Sequence, residues 1–176
     1  MTNKIQLVAI VLLNMLFLSP AQGQTINANI PNNTADSRYI DHGDSTVTDT
    51  VTDLMWQKCS VGQSGSSCSI GSATRVDWKE GLQLPSVSTV AGYSNWRLPN
   101  AEELHSLVAY DRYRPSINTA VFPSTIQDDY WSSSPAAFSD SAGSYSLSWE
   151  VDFMNGDYLI DSRNQINYIR LVRSGQ

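Results

Sequence analysis

The sequence predicts an α+β fold with two helices and six or seven short, mostly antiparallel strands joined by long irregular loops. Residues 145–153 alternate apolar and polar side chains, which is typical of a strand with one buried face. Two β-prone runs, Thr46–Asp49 and Leu54–Gln57, are separated by four residues and predict a hairpin. Residues 95–100 combine a turn, a tryptophan, an arginine and a helix start, and they separate a cysteine-bearing half from a β-rich half.

The second helix is predicted to begin directly after this junction. Pro99 ends the extended chain, because it has no N–H to donate. Asn100 is a favourable helix N-cap, and Glu103 stands three residues later, where its side chain completes a capping box. The helix is therefore expected from about residue 101 to residue 110.

The first helix is predicted shortly after the cysteines. Thr74 is the expected N-cap, with Asp77 at the capping-box position. Trp78 and Leu82 are one turn apart and are expected to face the core. Pro85 is expected to end this helix.

The alternating strand predicts which side chains are buried in the β-rich half. Trp149 and Val151 are expected to point towards the core, whereas Ser148 and Glu150 are expected to face solvent. The dipeptide at 155–156, Asn-Gly, favours a type I′ hairpin turn.

Further strands and one long loop complete the predicted domain. A returning strand is expected over residues 157–161, and a last, mostly apolar strand over 166–172 suits the middle of a sheet. Residues 111–123 carry two prolines and no period, so they predict a long irregular excursion.

Residues 1–23 are predicted to be a secretory signal peptide rather than part of the fold. Lys4 precedes an apolar run over residues 5–18, and small residues precede Gln24. The alternative is a membrane anchor, but the run is shorter than the ~20 residues that span a bilayer. Cleavage before Gln24 leaves 153 residues with a net charge of −7.

The mature chain is expected to be a single exported domain in the periplasm, on the cell surface or outside the cell. Residues 24–37 are polar and aperiodic and predict a flexible arm, and residues 38–176 form the domain. An acidic chain repels nucleic acid and anionic membranes, which argues against both as partners.

Cys59 and Cys68 are the only cysteines, and in an exported chain they are expected to form a disulfide. Closing so small a loop removes at most roughly 3 kcal/mol of chain entropy from the unfolded state. The alternative is a metal site, which needs two further ligands, and the two histidines are not spaced near this pair.

Short motifs occur in order between residues 39 and 173. They include Gly-Asp-x-Thr-Val-Thr-Asp at 43–49, Leu-Met-Trp-Gln at 54–57, Asn-Trp-Arg-Leu-Pro-Asn at 95–100, Tyr-Trp-Ser-Ser at 130–133, Trp-x-Val-x-Phe-x-x-Gly at 149–156 and Arg-Leu-Val-Arg at 170–173. Together they resemble the Lcl C-terminal-domain-like family of exported bacterial modules of unknown function. Two positions depart from its pattern: Asp53 stands where glycine is usual, and Gly81 where alanine is usual.

The resemblance implies a C-type lectin-like fold and an exported, non-enzymatic binding or adhesion module. The named member of the family is a collagen-like adhesin whose C-terminal domain binds sulfated glycosaminoglycans. A net charge of −7 suits a polyanion poorly, so that ligand is not carried over. Carbohydrate in general stays a candidate ligand, and the alternative function is a cell-envelope structural or protein-interaction component.

The tryptophans and arginines of the motifs are either ligand-binding residues or structural residues of the core. Aromatic platforms stack sugars, but each such side chain also buries about 150–250 Å² in a core, and the apolar positions of Trp78 and Trp149 favour the core. Arg97 is expected to tie the second helix to the sheet, and Arg170 and Arg173 to pair with buried carboxylates. The residues assigned to this structural motif are Trp56, Trp78, Trp96, Arg97, Leu98, Pro99, Trp131, Trp149 and Arg170.

No cofactor or metal is expected. Calcium needs six or more oxygen ligands at controlled spacing, and the sequence has no Asp-x-Asp-x-Asp-Gly run. The aspartates at 36, 41, 44, 49 and 53 are therefore predicted to form turns. A calcium site near the hairpin at 152–161 is the weaker alternative.

An enzyme is not expected either. Neither His42 nor His105 has a nucleophile at motif spacing, and no metalloprotease, serine-hydrolase or phosphate-loop motif occurs. Formylglycine-generating enzymes share the lectin-like fold and are similar at residues 97–99, which gives a third function hypothesis. They use a cysteine pair in their C-terminal part, whereas Cys59 and Cys68 lie upstream.

The ligand-contacting surface is expected on loops, because irregular loops on a rigid scaffold usually carry recognition. The polar loops over residues 111–130 and the hairpin tip are the candidates. The residues proposed there are Tyr113, Asn118, Asp128, Asp129, Asn155 and Asp157.

Overall fold

A computed structural model describes residues 23–137 and 146–175 and has an α+β architecture. Residues 1–22 of the predicted signal peptide, and Tyr145 of the predicted alternating strand, lie outside the described residues. The helices are α1 (Trp78–Gln83) and α2 (Ala101–His105), and 3₁₀ turns occupy Asp36–Arg38, Leu84–Val87 and Val90–Gly92. The strands are β1 (Thr25–Ile26), β2 (Tyr39–Asp41), β3 (Thr46–Asp49), β4 (Leu54–Gln57), β5 (Gln63–Ser64), β6 (Ile70–Gly71), β7 (Arg75–Val76), β8 (Arg112–Tyr113), β9 (Asp129–Pro135), β10 (Leu147–Asp152), β11 (Asp157–Ser162), β12 (Asn167–Tyr168) and β13 (Val172–Ser174).

Two sheets form the body of the described chain. One has five strands in the order β11-β10-β9-β12-β7, and the other has four in the order β13-β4-β3-β2. Strands β9 and β12 run parallel, and the other described pairs are antiparallel. The predicted hairpin of β3 and β4 is confirmed, and Asp53 in its turn has a φ of 55°, the left-handed geometry that glycine supplies elsewhere.

Two hydrophobic clusters lie on opposite faces of the five-stranded sheet. Tyr130 and Val151 belong to one cluster, which also receives Leu104 from α2. The adjacent Trp131 belongs to the other, together with Val76 of β7. Consecutive strand residues point to opposite faces, so β9 contributes to both cores. None of the helices in the described ranges has the length and apolar composition needed to cross a membrane.

Helix α1 begins later than the sequence predicts. Asp77, not Thr74, is its N-cap and accepts a hydrogen bond from the Glu80 N–H at 2.8 Å. The preceding residues are extended, because β7 pairs there with β12. The shift also changes the buried face: Gly81 is buried against the core, and Leu82, expected inside, is 41% exposed.

Helix α2 has the predicted start but ends early. The capping box is present: Asn100 Oδ1 accepts from the Glu103 N–H at 2.8 Å, and Glu103 Oε2 accepts from the Asn100 N–H at 2.7 Å. The helix stops at His105 instead of residue 110. Val108 instead forms an isolated antiparallel bridge with Ile117, which draws the chain out of the helix.

The side of strand β10 that the alternation predicts to face solvent is largely buried, whereas Trp149, predicted to point into the core, is partly exposed. Ser148 and Glu150 are buried, although both belong to the polar half of the alternation. The cause is the chain around β12. Arg163 donates to Ser148 Oγ at 2.9 Å, and Asn167 donates to Glu150 Oε2 at 2.5 Å.

The hairpin turn and the last strand also differ from the predictions. Asp152 pairs with Asp157, which leaves a four-residue loop in which only Gly156 has a positive φ, so the turn is not type I′. The predicted strand over 166–172 is two strands in different sheets, β12 and β13. The fully buried Arg170 lies in the segment between them.

Residues 24–37 pack against the domain, although their composition predicts a flexible arm. Strand β1 pairs with β8, and Gln24 Nε2 donates to the carbonyl oxygens of Pro115 at 2.5 Å and Ile117 at 2.6 Å. Thr34 is fully buried. The long loop after α2 offers carbonyl groups with no strand partner, and this polar segment satisfies two of them.

We expect Glu103→Ala to lower the free energy of unfolding by about 1–2 kcal/mol, because it removes one half of the capping box and the partner of Arg97. Urea unfolding followed by tryptophan fluorescence measures this loss. Glu102→Ala, in the same turn but exposed, is the matched control and should change stability by less than about 0.5 kcal/mol. Equal losses in both variants would contradict the capping role.

Candidate functional site

The tryptophans of the sequence motif are mainly core residues. Trp56, Trp96 and Trp131 are buried, and Trp131 Nε1 donates to the Val76 carbonyl oxygen at 3.0 Å. Trp78 is partly exposed, and its Nε1 donates to the Ser132 carbonyl oxygen at 2.8 Å. Only Trp149 of this set belongs to an exposed aromatic group among the described residues.

Arg97 joins the start of α2 to the four-stranded sheet. Its guanidinium forms two hydrogen bonds with Glu103, both 2.7 Å long. Its backbone forms an antiparallel bridge with Val172. Leu98 and Pro99 are buried, and the Pro99 carbonyl oxygen accepts from the Ser133 N–H at 2.7 Å. This geometry agrees with the predicted structural role of the motif.

Arg170 does not pair with a carboxylate, contrary to the prediction. It donates to the carbonyl oxygens of Gln57 and Lys58, and to Thr125 Oγ1 at 2.7 Å. Its guanidinium carbon lies 4.9 Å from the centre of the Phe122 ring. Burial lowers the pKa of Arg170, and neutral oxygens replace the water that a surface arginine would bind.

Arg173 also lacks the predicted carboxylate partner. Its Nε donates to Asn95 Oδ1 at 2.8 Å, and its guanidinium carbon lies 3.9 Å from the centre of the Tyr93 ring. Both arginines therefore use neutral groups of the scaffold. Neither offers its guanidinium on an open surface.

The disulfide is confirmed, and several acidic turn residues are engaged by neighbouring groups. Cys59 and Cys68 are bonded to each other. Arg38 pairs with the buried Asp49. Burial is the largest single influence and raises the pKa of that carboxyl, but the hydrogen bonds from Arg38, Val51 and Thr52 and the charge of Arg38 together lower it below its ordinary value. Lys58 pairs with Asp41 at 2.5 Å. Within residues 23–137 and 146–175, no three His, Cys, Asp or Glu side chains are arranged to hold a metal ion.

The loop residues proposed as ligand contacts do not form one surface. Asn118 is fully buried and donates to the Thr34 carbonyl oxygen at 2.6 Å, so it is part of the scaffold rather than a contact residue. Asp128 forms an ion pair with Arg75. Tyr113 is 41% exposed. A binding role for the exposed members stays a prediction.

The hairpin residues proposed as contacts border a row of carboxylates. Strand register places Asp129, Asp152 and Asp157 side by side on one face of the sheet. Glu150 lies on the same face. Burial, followed by the charges of Asp129 and Asp161, raises its pKa to about 8. Asn155 is exposed, and its amide lies 3.2 Å from Asp152 Oδ2.

The opposite face carries an aromatic patch, which we define as His105, Tyr110, Trp149 and Tyr158. The rings of Trp149 and Tyr158 are stacked, with centroids 4.5 Å apart and planes inclined by 11°. The His105 ring lies 5.3 Å from Tyr158 and 6.2 Å from Tyr110. Tyr110 is 56% exposed and Tyr158 is 39% exposed. The patch thus combines a rigid stack with two accessible phenol rings.

The sequence provides little signal for this patch. The sequence places His105 within the predicted second helix and Tyr158 within the predicted returning strand, and nothing in it brings the two together. The patch has two causes. Helix α2 ends early, at His105. Trp149 and Tyr158 are diagonal neighbours on adjacent strands, because Trp149 pairs with Ile160 and Val151 pairs with Tyr158. The alternation in β10 shows which face of the strand carries Trp149, but no local sequence pattern indicates that His105, Tyr110 and Tyr158 lie beside it.

A concave feature lies beside the disulfide. Two adjoining hollows of about 200 and 180 Å³ share Gln57, Gln63 and Val90 in their linings. Gln57 is buried, and its amide donates to Ser88 Oγ at 2.8 Å, so this polar group is already satisfied within the chain. The hollows lack the exposed aromatic surface of the patch.

The α+β sheets, the disulfide and the ordered motifs define a small domain whose rigid core presents loops and an aromatic patch at its surface. The chain belongs to the Lcl C-terminal domain family, whose model matches residues 45–173. No curated protein sequence matches the chain significantly.

We expect Glu150→Gln to stabilise the protein as the pH rises. The raised pKa means that the folded protein keeps a proton on Glu150 that the unfolded chain releases, so wild-type stability falls between about pH 4.5 and 8. Glutamine does not titrate and can still accept from Asn167, so the variant should gain on the order of 3 kcal/mol at pH 9 and little at pH 4.

Chemical unfolding at a series of pH values measures this difference. Asp157→Asn, on the same face but exposed, is the control and should not reproduce the gain of Glu150→Gln at pH 9. If the free energies of unfolding of wild type and Glu150→Gln differ by the same amount from pH 4 to pH 9, the prediction is wrong, because the carboxyl of Glu150 would then not retain its proton in the folded protein.

Proposed function

We propose that this chain is an exported, non-enzymatic binding or adhesion module whose aromatic patch binds a neutral or weakly charged carbohydrate. The observation that carries the proposal is the exposed Tyr110 ring in the same patch as the partly exposed Trp149–Tyr158 stack. Membership of the Lcl C-terminal domain family is compatible with it. A C-type lectin-like arrangement of the two helices and the sheets belongs to the same proposal.

The chemistry of the patch suits a sugar ring. The apolar C–H face of a pyranose packs on an aromatic ring, and tyrosine adds a hydroxyl that hydrogen-bonds at the ring edge. Partial burial and then the charge of Glu102 raise the pKa of Tyr158, which keeps its hydroxyl protonated and able to donate. Glu102 and His105 lie about one helical turn apart on α2 and provide further polar groups for sugar hydroxyls.

The charge of the chain restricts the sugar. The net charge is −6 for the full sequence, and the carboxylate row lies one sheet thickness away from the patch. A sulfated or uronic-acid polymer would be repelled at low salt. Neutral and amino sugars meet no such barrier, so they are the ligands we propose.

Export is part of the proposal because it agrees with the signal-like residues 1–23 and with a disulfide that persists in oxidising compartments. The proposed location is the periplasm, the cell surface or the medium. We propose no cofactor, since Asp41 and Asp49 already have cationic partners. The test therefore checks that sugar binding does not depend on calcium.

An enzymatic role receives less support. The formylglycine-generating chemistry considered from residues 97–99 requires reactive cysteines, and both cysteines of the chain are joined in the disulfide. Arg97 is engaged by Glu103. The alternative of a protein-interaction component is favoured by a different surface, the open edge of the five-stranded sheet.

We expect the purified mature protein to bind neutral or amino sugars on a glycan array, and Tyr110→Ala to weaken that binding at least about fivefold through loss of one stacking ring. Titration calorimetry with the best sugar, with calcium and with chelator, measures the affinity. Tyr113→Ala is the matched control: it removes a similarly exposed tyrosine from the loop and should leave affinity unchanged.

Loss of binding in Tyr113→Ala alone would move the site to the long loop. Absence of any bound glycan, with or without calcium, would reject the carbohydrate proposal.

A further inference from the structure

Among residues 23–137 and 146–175, strand β11 has no neighbouring strand on its outer side and is an open edge of the five-stranded sheet. The Arg163 N–H donates to the Ser146 carbonyl oxygen at 2.9 Å, which fixes the phase of the ladder between β10 and β11. Hydrogen-bonded positions then recur at every second residue, so Asp157, Leu159 and Asp161 bond to β10. The N–H and C=O groups of Tyr158 and Ile160 point away from the sheet.

Apart from the charges of Asp157 and Asp161, this edge lacks the features that usually protect one. Short length, lysine, proline and bulges discourage pairing with another chain, yet β11 has six residues in unbroken register with β10 and contains neither lysine nor proline. Tyr158, Leu159 and Ile160 are each about 40% exposed. Three consecutive exposed apolar residues on a regular edge are a favourable template for a further strand.

The charges on one face of this edge indicate what kind of strand fits. Asp129, Asp152 and Asp157 lie side by side across three strands, and Asp161 follows on β11 opposite Ser148. Among the ion pairs of the described residues, none involves these four carboxylates. The row therefore reaches the open edge without a cationic partner.

We propose that β11 binds an extended cationic segment of a partner protein, which adds to the sheet as a sixth strand. Its backbone would bond to the outward N–H and C=O groups of Tyr158 and Ile160. Its lysines or arginines, at every second position, would face Asp157 and Asp161, and the alternate side chains would pack beside Tyr158 and Ile160.

A second copy of the chain fits this edge poorly. An antiparallel pair of identical strands is related by a two-fold axis perpendicular to the sheet, which keeps corresponding faces on the same side. The carboxylate rows of the two copies would then adjoin. Like charges opposite one another destabilise a pair of strands.

The test uses the mature protein and a synthetic peptide of about eight residues that alternates lysine and threonine. Calorimetry should show one peptide bound per chain, with an affinity that falls as salt is raised. A peptide with glutamate in place of lysine should not bind. In the free protein the amide hydrogens of Tyr158 and Ile160 should exchange rapidly, and the bound peptide should slow them.

Two variants separate the backbone from the charges. Ile160→Pro removes an outward N–H while leaving the ladder to β10 intact, and it should weaken peptide binding about tenfold. Ile160→Ala keeps the N–H and should have a smaller effect. The double variant Asp157→Asn, Asp161→Asn should weaken binding and remove most of its salt dependence, and it reports on the site even where the proline variant is unstable.

The proposal is overturned if the lysine-threonine peptide does not bind, if it binds Ile160→Pro as tightly as Ile160→Ala, or if the free protein dimerises through β11. Slow exchange of the Tyr158 and Ile160 amides in the free protein would also overturn it, because the edge would then already be covered. Tyr110→Ala should leave peptide binding unchanged, so failure here is distinct from failure of the carbohydrate proposal.

Discussion

The burial of the Arg170 guanidinium is the constraint on which the rest of the domain depends. A buried cation is tolerated only when most of its hydrogen bonds are made. Here neutral oxygens accept from both terminal nitrogens of the guanidinium, whereas Nε has no partner among the described residues. The acceptors come from the end of β4, where Gln57 and Lys58 supply carbonyl oxygens, and from the long loop, where Thr125 supplies a hydroxyl. These segments are distant in sequence, so their assembly around one side chain holds the two sheets and the loop together.

The same constraint explains why the long loop belongs to the framework. Phe122 lies against Arg170, and Asn118 is buried between the loop and residues 24–37. An irregular segment with these internal bonds is held as firmly as a strand, and its polar residues are used for support rather than recognition. The exposed chemistry lies instead around the hairpin of β10 and β11, with aromatic rings on one face and carboxylates on the other.

Several local signals in the sequence predicted local structure correctly, although the predictions of the Thr74 cap and of the Asn-Gly type I′ turn were wrong. The Asn100 capping box, the hairpin with Asp53 at its left-handed turn position, and the disulfide all depend on residues close together in the chain. Predictions failed where distant segments meet. The alternation predicts that Glu150 faces solvent, but β12 covers it in the fold. The aromatic patch forms because β10 pairs with β11 in one particular register and because α2 ends early.

The division of the last predicted strand has a consequence for how the chain acquires its fold. Residues 167–168 join the five-stranded sheet and residues 172–174 join the four-stranded sheet, with Arg170 between them. Neither sheet is complete until this segment has been synthesised. A chain that emerges N-terminus first therefore cannot complete either sheet until its C-terminal residues have been made.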